Sequence, residues 1–108
     1  MSLLMALPSR RGRGLPPELF YTPLDGTSEK TLEIVLSSAS DRNIDFGALC
    51  SLLSALGFHE RARGSHHIFY RTDVVEIINI QPIGTKAKAY QVRQIRNLVV
   101  KYKLRGSI

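Results

Sequence analysis

The sequence predicts an α+β fold, a two-layer domain in which two helices cover one face of a three-stranded antiparallel sheet. Two segments, around residues 50 and 95, repeat apolar residues with the 3.6-residue period of a helix. Between them lie three short runs rich in β-branched and aromatic residues. The turns that separate these runs are too short for a crossover, so the strands must be antiparallel. Each helix has one apolar stripe, and both stripes can be buried against the same sheet face.

Residues 1–28 are predicted to form an extended or disordered N-terminal arm. Four of the five prolines lie there, together with a basic cluster at residues 10–13, and no helical or strand period persists. A short helix and a linker are predicted for residues 29–43. The main domain is then expected to extend over residues 44–105.

The first helix of this domain has well-defined ends. Asp45 fits the N-cap position, where its carboxylate can accept hydrogen bonds from free backbone N–H groups. Gly57 is predicted to end the helix in a left-handed conformation, and Phe58 can then fold back onto Leu53. The predicted apolar face comprises Phe46, Leu49, Cys50, Leu53 and Leu56.

Three strands are predicted to follow, over Phe58–Arg63, Ser65–Arg71 and Val74–Gln81, with turns at Gly64 and at residues 72–73. A loop is expected over residues 83–89, and a final helix begins near Tyr90. The apolar face of that helix comprises Val92, Ile95, Leu98, Val99 and Tyr102.

The charge of the chain is distributed unevenly. The 108 residues carry a net charge of +6. Residues 1–58 contain five Lys/Arg and six Asp/Glu, whereas residues 59–108 contain ten Lys/Arg and three Asp/Glu. One half is therefore close to neutral and the other carries +7. This asymmetry favours a polyanionic partner, either a nucleic acid or an acidic protein surface, and it favours a nucleic acid over a basic surface that serves only solubility.

The composition excludes several classes of protein. With a single cysteine, Cys50, the chain cannot form an internal disulfide or a metal cluster of several thiolates. No apolar run approaches the ~20 residues that span a bilayer. The apolar start is too short for a signal peptide, so we expect a cytoplasmic protein with no membrane association. The three histidines and the carboxylates show no metal-ligand spacing, so neither a metal nor a cofactor is predicted.

Two adjacent histidines, His66 and His67, mark the candidate site. Neighbouring residues on a strand point to opposite faces, so the two imidazoles cannot share one site. Phe69 is the natural core residue of this strand, which places His67 on the helix-covered side. His66 then lies on the open side with Tyr70, although Ile68 on that side fits the scheme less well. If the register is reversed, the two histidines exchange faces.

An exposed imidazole beside a basic surface suits RNA cleavage. RNA carries its own nucleophile, the 2′-hydroxyl, and needs a base, an acid and cations that stabilise the phosphorane. Histidine, with an ordinary pKa of about 6.5, suits the role of base at neutral pH. Arg71, Lys86 and Lys88 are candidates for phosphate contacts. On residue chemistry alone, a histidine pair on a strand is more often structural than catalytic.

The motif Gly64-Ser65-His66-His67-x-Phe69, preceded by a helix ending Leu56-Gly57-Phe58, resembles the HicA toxins. The resemblance covers residues 44–104. It implies a double-stranded-RNA-binding-domain-like α-β-β-β-α fold and a stress-response endoribonuclease that cleaves mRNA without metal. It also implies that His66 is the essential histidine and that Gly64 sets the turn that presents it. A HicB-type antitoxin would silence the toxin by covering this surface, forming a hetero-oligomer with a chain that is otherwise monomeric.

The predicted site therefore consists of His66 as the catalytic residue and a surrounding RNA-binding set. That set comprises Gly64, Ser65, Tyr70, Arg71, Lys86 and Lys88. Tyr70 could stack on a base or be an ordinary strand aromatic. Since the same fold serves RNA binders that cleave nothing, a non-catalytic RNA-binding module is the alternative. A third hypothesis is a protein-interaction domain whose basic face meets an acidic partner.

Overall fold

The three predicted strands form one antiparallel sheet, in which they lie side by side in the same order as along the chain. A computed structural model describes residues 24–105 of the chain. The strands are β1 (His59–Arg63), β2 (His66–Arg71) and β3 (Val74–Ile80). Phe69 pairs with Ile78 across β2 and β3, and both side chains are fully buried against the helices. All five residues of β1 are exposed, so this edge strand contributes nothing to the core.

Three helices accompany the sheet: α1 (Gly26–Ser37), α2 (Phe46–Ala55) and α3 (Ala89–Tyr102). The order α2-β1-β2-β3-α3 confirms the predicted α+β class and its α-β-β-β-α layout. One hydrophobic core joins α2 and α3 to the sheet. Its fully buried side chains include Leu49, Leu52, Leu53, Leu56, Phe69, Ile78, Ile80, Val92 and Ile95.

Helix α2 begins and ends where the sequence predicts. The Asp45 carboxylate accepts a hydrogen bond from the backbone N–H of Ala48 at 2.9 Å. At the other end Gly57 has φ +94°, and the N–H of Phe58 donates to the Leu53 carbonyl at 3.0 Å, as in a Schellman motif. Leu52 lies outside the predicted apolar face, yet it is fully buried, and α1 packs against α2.

Helix α1 starts earlier than predicted. The carboxylate of Asp25 accepts from the N–H of Ser28 at 2.7 Å and caps a helix that begins at Gly26. The placement of residues 26–28 in an extended arm was therefore wrong. The rest of the predicted arm, residues 1–23, lies outside the described residues.

Helix α1 belongs to the same folding unit as the main domain. Leu32 and Val35 lie in the common core. Arg96 of α3 donates to the Val35 carbonyl at 2.9 Å and forms a two-pronged ion pair with Asp41, at 2.9 and 3.0 Å. Asp41 lies in a short 3-10 helix, Asp41–Asn43, that connects α1 to α2. Arg96 thus holds this connection against α3 and is not free to bind phosphate.

The Asp41–Arg96 pair makes a testable contribution to stability. Its hydrogen bonds hold the pKa of Asp41 below the ordinary value. A carboxylate with a lowered native pKa stabilises the fold above its unfolded pKa, and this stabilisation is lost as the pH falls through the native pKa. We expect Asp41→Asn to lower the free energy of unfolding by about 1–2 kcal/mol at pH 7. The difference from wild type should shrink below about pH 4.

Urea unfolding of both proteins at several pH values measures this effect. Glu33→Gln is the matched control, since Glu33 is an exposed carboxylate that forms no ion pair within residues 24–105. A stability difference for Asp41→Asn that does not change between pH 7 and pH 3 would contradict the account.

The predicted loop after β3 contains a small hairpin. Pro82–Ile83 (β4) pairs with Lys86–Ala87 (β5) through a turn in which Gly84 has φ +63°. The N–H of Ala87 donates to the Ile44 carbonyl at 2.9 Å, so the hairpin is fixed to the start of α2. Two-residue strands leave no periodic signal, so the sequence could not reveal them. The hairpin determines where Lys86 and Lys88 lie.

No helix within residues 24–105 is long and apolar enough to cross a membrane.

Candidate functional site

The sheet face that points away from the helices, here called the open face, is basic and partly apolar. Antiparallel pairing places Arg63 opposite His66 and Arg61 opposite Ile68. Both acidic residues of β1–β3, Glu60 and Glu76, lie on the other face. The open face comprises His59, Arg61, Arg63, His66, Ile68, Tyr70, Val75, Ile77 and Asn79.

The two adjacent histidines lie on opposite faces, as strand alternation predicts. His66 is exposed on the open face, whereas His67 is half-buried, with its ring 5.0 Å from that of Phe46 on the helix side. Gly64 and Ser65 form the two-residue turn before His66. Gly64 has φ +61°, a left-handed conformation that suits glycine at the first turn position. The turn therefore brings His66 to the very start of β2.

His66 belongs to a network of polar side chains that the sequence did not reveal. Its Nδ1 lies 3.1 Å from Asn79 Oδ1, and its Nε2 lies 3.3 Å from Gln81 Nε2. The Gln81 amide also donates to Ser65 Oγ at 3.1 Å and accepts from Lys88 Nζ at 3.3 Å. The network thus joins the His66 turn, the end of β3 and the start of α3.

The hydrogen-bond partners around His66 favour one tautomer of its imidazole. An ammonium group can only donate, so Lys88 requires the oxygen of the Gln81 amide. The nitrogen of that amide must then face Ser65 and His66 as a donor. Nε2 of His66 therefore carries the lone pair, and Nδ1–H donates to Asn79. In this tautomer Nε2 faces the Gln81 amide, whose oxygen in turn accepts from Lys88.

Gln91 supports this network through hydrogen bonds to the backbone of Asn79 and Gln81. It is buried on α3, accepts from the backbone N–H of Gln81 at 3.2 Å and donates to the Asn79 carbonyl at 3.4 Å. Its amide satisfies backbone groups at the end of β3 that would otherwise lack partners. A glutamine beside an apolar helix stripe gives no sequence signal for this role.

The three predicted cations differ in their exposure and in the hydrogen bonds that they already form. Lys86 is exposed on β5, and Lys88 is half-buried at the N-cap of α3 and bound to Gln81. Arg71 lies on the helix side, where its guanidinium binds Asp73 at 2.7 and 3.0 Å and the Leu56 carbonyl at 2.6 Å. These contacts give Arg71 a structural role, so its assignment as a phosphate contact stays a prediction that the geometry does not favour.

Two arginines outside the predicted site lie on β1, the strand that pairs with the strand of His66. Arg61 and Arg63 are exposed on β1, and neither forms an ion pair among the described residues. The strand register places them beside His66 and Ile68. The uneven charge of the two halves of the chain pointed to such a basic face, but only the register shows that these two side chains share it with His66.

Tyr70 extends the open face with an aromatic surface. It is 40% exposed, and its ring centroid lies 5.4 Å from that of His59. Beyond it, Val75 and Ile77 are 88% and 62% exposed. Such neighbouring apolar side chains in contact with solvent are typical of surfaces that bind a ligand or partner.

A second group of side chains converges on the opposite face of the sheet. Cys50 of α2, Glu60 of β1 and His67 of β2 place one ligand-type atom each within 4.8 Å of one another. Burial, with the carboxylates of Glu60 and Asp45, raises the pKa of the Cys50 thiol to about 11. The thiol is therefore protonated at neutral pH, as expected of a cysteine on the apolar face of α2 and not of a nucleophile. The spacing of histidines and carboxylates along the sequence does not reveal this cluster, because its three members meet only in the fold.

No protein-family model, curated protein or solved structure matches the chain. The HicA resemblance therefore stays a prediction that depends on the motif around His66.

Proposed function

We propose that the chain is an endoribonuclease of the HicA type that cleaves mRNA without a metal ion, with His66 as its catalytic residue. The observation that supports this most is the position of His66. The imidazole is exposed on a basic open face, its Nδ1 lies 3.1 Å from Asn79 Oδ1, and Gln81 connects its Nε2 side to Lys88. A purely structural histidine needs no such combination of exposure, orientation and neighbouring cations.

The proposed reaction begins at the ribose. Nε2 of His66 accepts the proton of the 2′-hydroxyl, in place of its contact with Gln81, while the 2′-oxygen attacks the adjacent phosphorus. The bond from phosphorus to the 5′-oxygen breaks, and the leaving oxygen takes the proton that His66 has accepted. The products are a 2′,3′-cyclic phosphate and a 5′-hydroxyl. Base and acid roles thus fall to one imidazole at successive steps.

Cations near His66 stabilise the phosphorane and hold the RNA. Lys88, joined to His66 through Gln81, is the predicted cation that belongs to the network. Arg61 and Arg63 add charge along β1, and Tyr70 offers a ring for base stacking. Positive groups fixed in advance around developing negative charge lower the barrier to reaction.

Asn79 is the proposed positioning residue. Asn79→Ala should lower kcat by up to about a hundredfold, because an imidazole free to rotate presents Nε2 in the right direction less often. KM for RNA should change little, since Asn79 contacts His66 and carries no charge. Ile77→Ala, an exposed change two residues away on β3, is the matched control and should cleave like wild type. A loss confined to KM would contradict a positioning role.

A non-catalytic RNA-binding module is the alternative, and one observation favours it. Both ring nitrogens of His66 already have hydrogen-bond partners, so the imidazole is satisfied without a substrate. Such a module would use Arg61, Arg63 and Tyr70 to hold RNA and leave it intact. Its affinity would fall steeply as salt increases.

One experiment separates the two functions. Purified wild type, His66→Ala and His59→Ala are incubated with a long RNA, and both binding and cleavage are followed. The nuclease proposal predicts cleavage by wild type and His59→Ala, and binding without cleavage by His66→Ala. Salt-sensitive binding with intact RNA in all three samples supports the module. Absence of RNA binding at low salt contradicts both and supports an interaction domain with an acidic protein partner.

Cleavage should persist in excess EDTA, because the proposed chemistry uses only protein groups. Cys50→Ala, which lacks the thiol of the cluster on the opposite face, is assayed in the same way as a control for any effect of EDTA through that cluster. Loss of cleavage in EDTA by a protein that remains folded would contradict the metal-free mechanism.

The proposed partner is a HicB-type antitoxin that covers the open face in the cytoplasm. Val75 and Ile77 lie on the same face as His66, so one protein seated there would bury both the apolar side chains and the imidazole. Adding the product of an adjacent small gene to the cleavage assay tests this. Inhibition at a fixed stoichiometry is expected, and undiminished cleavage by a chain that binds the partner would contradict it.

A further inference from the structure

The cluster formed by Cys50, Glu60 and His67 lies apart from the proposed RNA site. His66 and Asn79 point to the open face, whereas this cluster lies between α2 and the helix-covered face of β1 and β2. His67 Nδ1 lies 2.6 Å from Glu60 Oε2, and the three ligand-type atoms lie within 4.8 Å of one another.

The fold brings these side chains together from three elements. Glu60 pairs with Phe69 and His67 with Ala62, so Glu60 and His67 are diagonal neighbours on one face. The Phe46 ring packs edge-on against the His67 imidazole and limits its rotation. Cys50 lies one turn of α2 beyond Phe46, which directs its thiol toward the same strands.

We propose that Cys50, Glu60 and His67 bind a zinc ion. Thiolate, imidazole and carboxylate together form a typical zinc ligand set, and the thiolate disfavours magnesium and calcium, which prefer oxygen. Tetrahedral zinc holds such ligand atoms roughly 3.3–3.6 Å apart, as its bond lengths require. The observed separations, 2.6 Å for one pair and at most 4.8 Å for all, bracket this range. Zinc binding would separate the His67 and Glu60 ligand atoms, while the Cys50 thiol already lies within 4.8 Å of both.

Binding would release the proton of the Cys50 thiol to solvent and replace the direct contact between His67 and Glu60. The side chains of His67 and Glu60 are 28% and 34% exposed, so an ion can enter from solvent and keep water as its fourth ligand. The ion would join α2 to β1. Because every residue of β1 is exposed, this strand is the part of the sheet that gains most from such a link.

Cobalt(II) provides a direct test, because it replaces zinc in such sites and absorbs visible light when four-coordinate. The full chain, without a polyhistidine tag and with its thiol kept reduced by a phosphine, is titrated with cobalt and then with zinc. We expect one cobalt per chain with a thiolate charge-transfer band, displaced by one equivalent of zinc. Zinc should also raise the Tm and slow amide exchange in β1.

The variants separate this site from the RNA site. Cys50→Ala should lose the charge-transfer band and the rise in Tm, and Glu60→Gln should weaken binding while keeping a similar shape. His66→Ala should bind cobalt like wild type, whether or not the chain is a nuclease. Absence of the band in wild type, or its persistence in Cys50→Ala, would overturn the proposal. Cleavage by Cys50→Ala reports on the proposed nuclease separately.

Discussion

His66→Ala is expected to abolish RNA cleavage, with a loss of about 10²–10⁴-fold in rate, the usual contribution of general acid–base catalysis. The side chain is exposed, so its removal leaves no cavity in the core. The free energy of unfolding should therefore stay within about 0.5 kcal/mol of wild type. Expression of wild type is expected to arrest growth, and expression of His66→Ala is expected not to.

The matched control for this change is His59→Ala. His59 is a second exposed histidine on the open face, and it contacts Tyr70 but not the network around His66. It should retain cleavage within a few-fold of wild type. Toxicity or cleavage that survives in His66→Ala would reject the assignment. Equal losses in both variants would indicate that RNA binding, not proton transfer, had been removed.

Phe69→Ala is expected to cause the largest loss of stability. Phe69 lies three residues after His66 on β2 and points to the other face, where it is fully buried. Removal of a buried aromatic ring from a well-packed core costs about 3–5 kcal/mol. Since small domains have only about 5–15 kcal/mol of stability in total, the variant should be partly unfolded at 37 °C. Urea unfolding followed by circular dichroism measures the loss.

Tyr70→Ala serves as the control for Phe69→Ala. The two aromatics are adjacent in sequence but lie on opposite faces, and Tyr70 is 40% exposed. Its truncation should cost less than about 1 kcal/mol in stability while weakening RNA binding by about 1–3 kcal/mol. If the two variants were destabilised equally, the assignment of the two faces would be wrong.

The parts of the fold that depend on neighbouring residues were predictable from the sequence. Asp45 and Gly57 define the ends of α2 by local hydrogen bonds, and strand alternation alone placed His66 and Phe69 on opposite faces. Both predictions are confirmed. The predicted class, with three antiparallel strands between helices, followed from the same short-range signals.

The parts of the site that depend on distant residues were not predictable. Asn79 and Gln81 meet His66 only because β2 and β3 pair in one register, shifted by an irregularity between Phe69 and Arg71. Arg71 was predicted to bind phosphate because charge alone was considered. In the fold, the turn after β2 places Asp73 within reach and occupies its guanidinium.

The cluster of Cys50, Glu60 and His67 was missed for a similar reason. Its members lie on three elements, and no spacing along the chain indicates that they meet. The attachment of α1 to the main domain could not be predicted either, because it depends on Arg96, far along the chain from Val35 and Asp41. Contacts of this kind become visible only when the packing of helices is known.

Substitution of a single ribose in the RNA tests the proposed chemistry most directly. The bond that wild type cleaves is first mapped, and the nucleotide on its 5′ side is then replaced by the 2′-deoxy form. If His66 activates the 2′-hydroxyl, this bond is no longer cut while the modified RNA still binds, and the unmodified RNA yields 2′,3′-cyclic phosphate ends. Cleavage of the modified bond at the normal rate would contradict a mechanism in which His66 activates the 2′-hydroxyl.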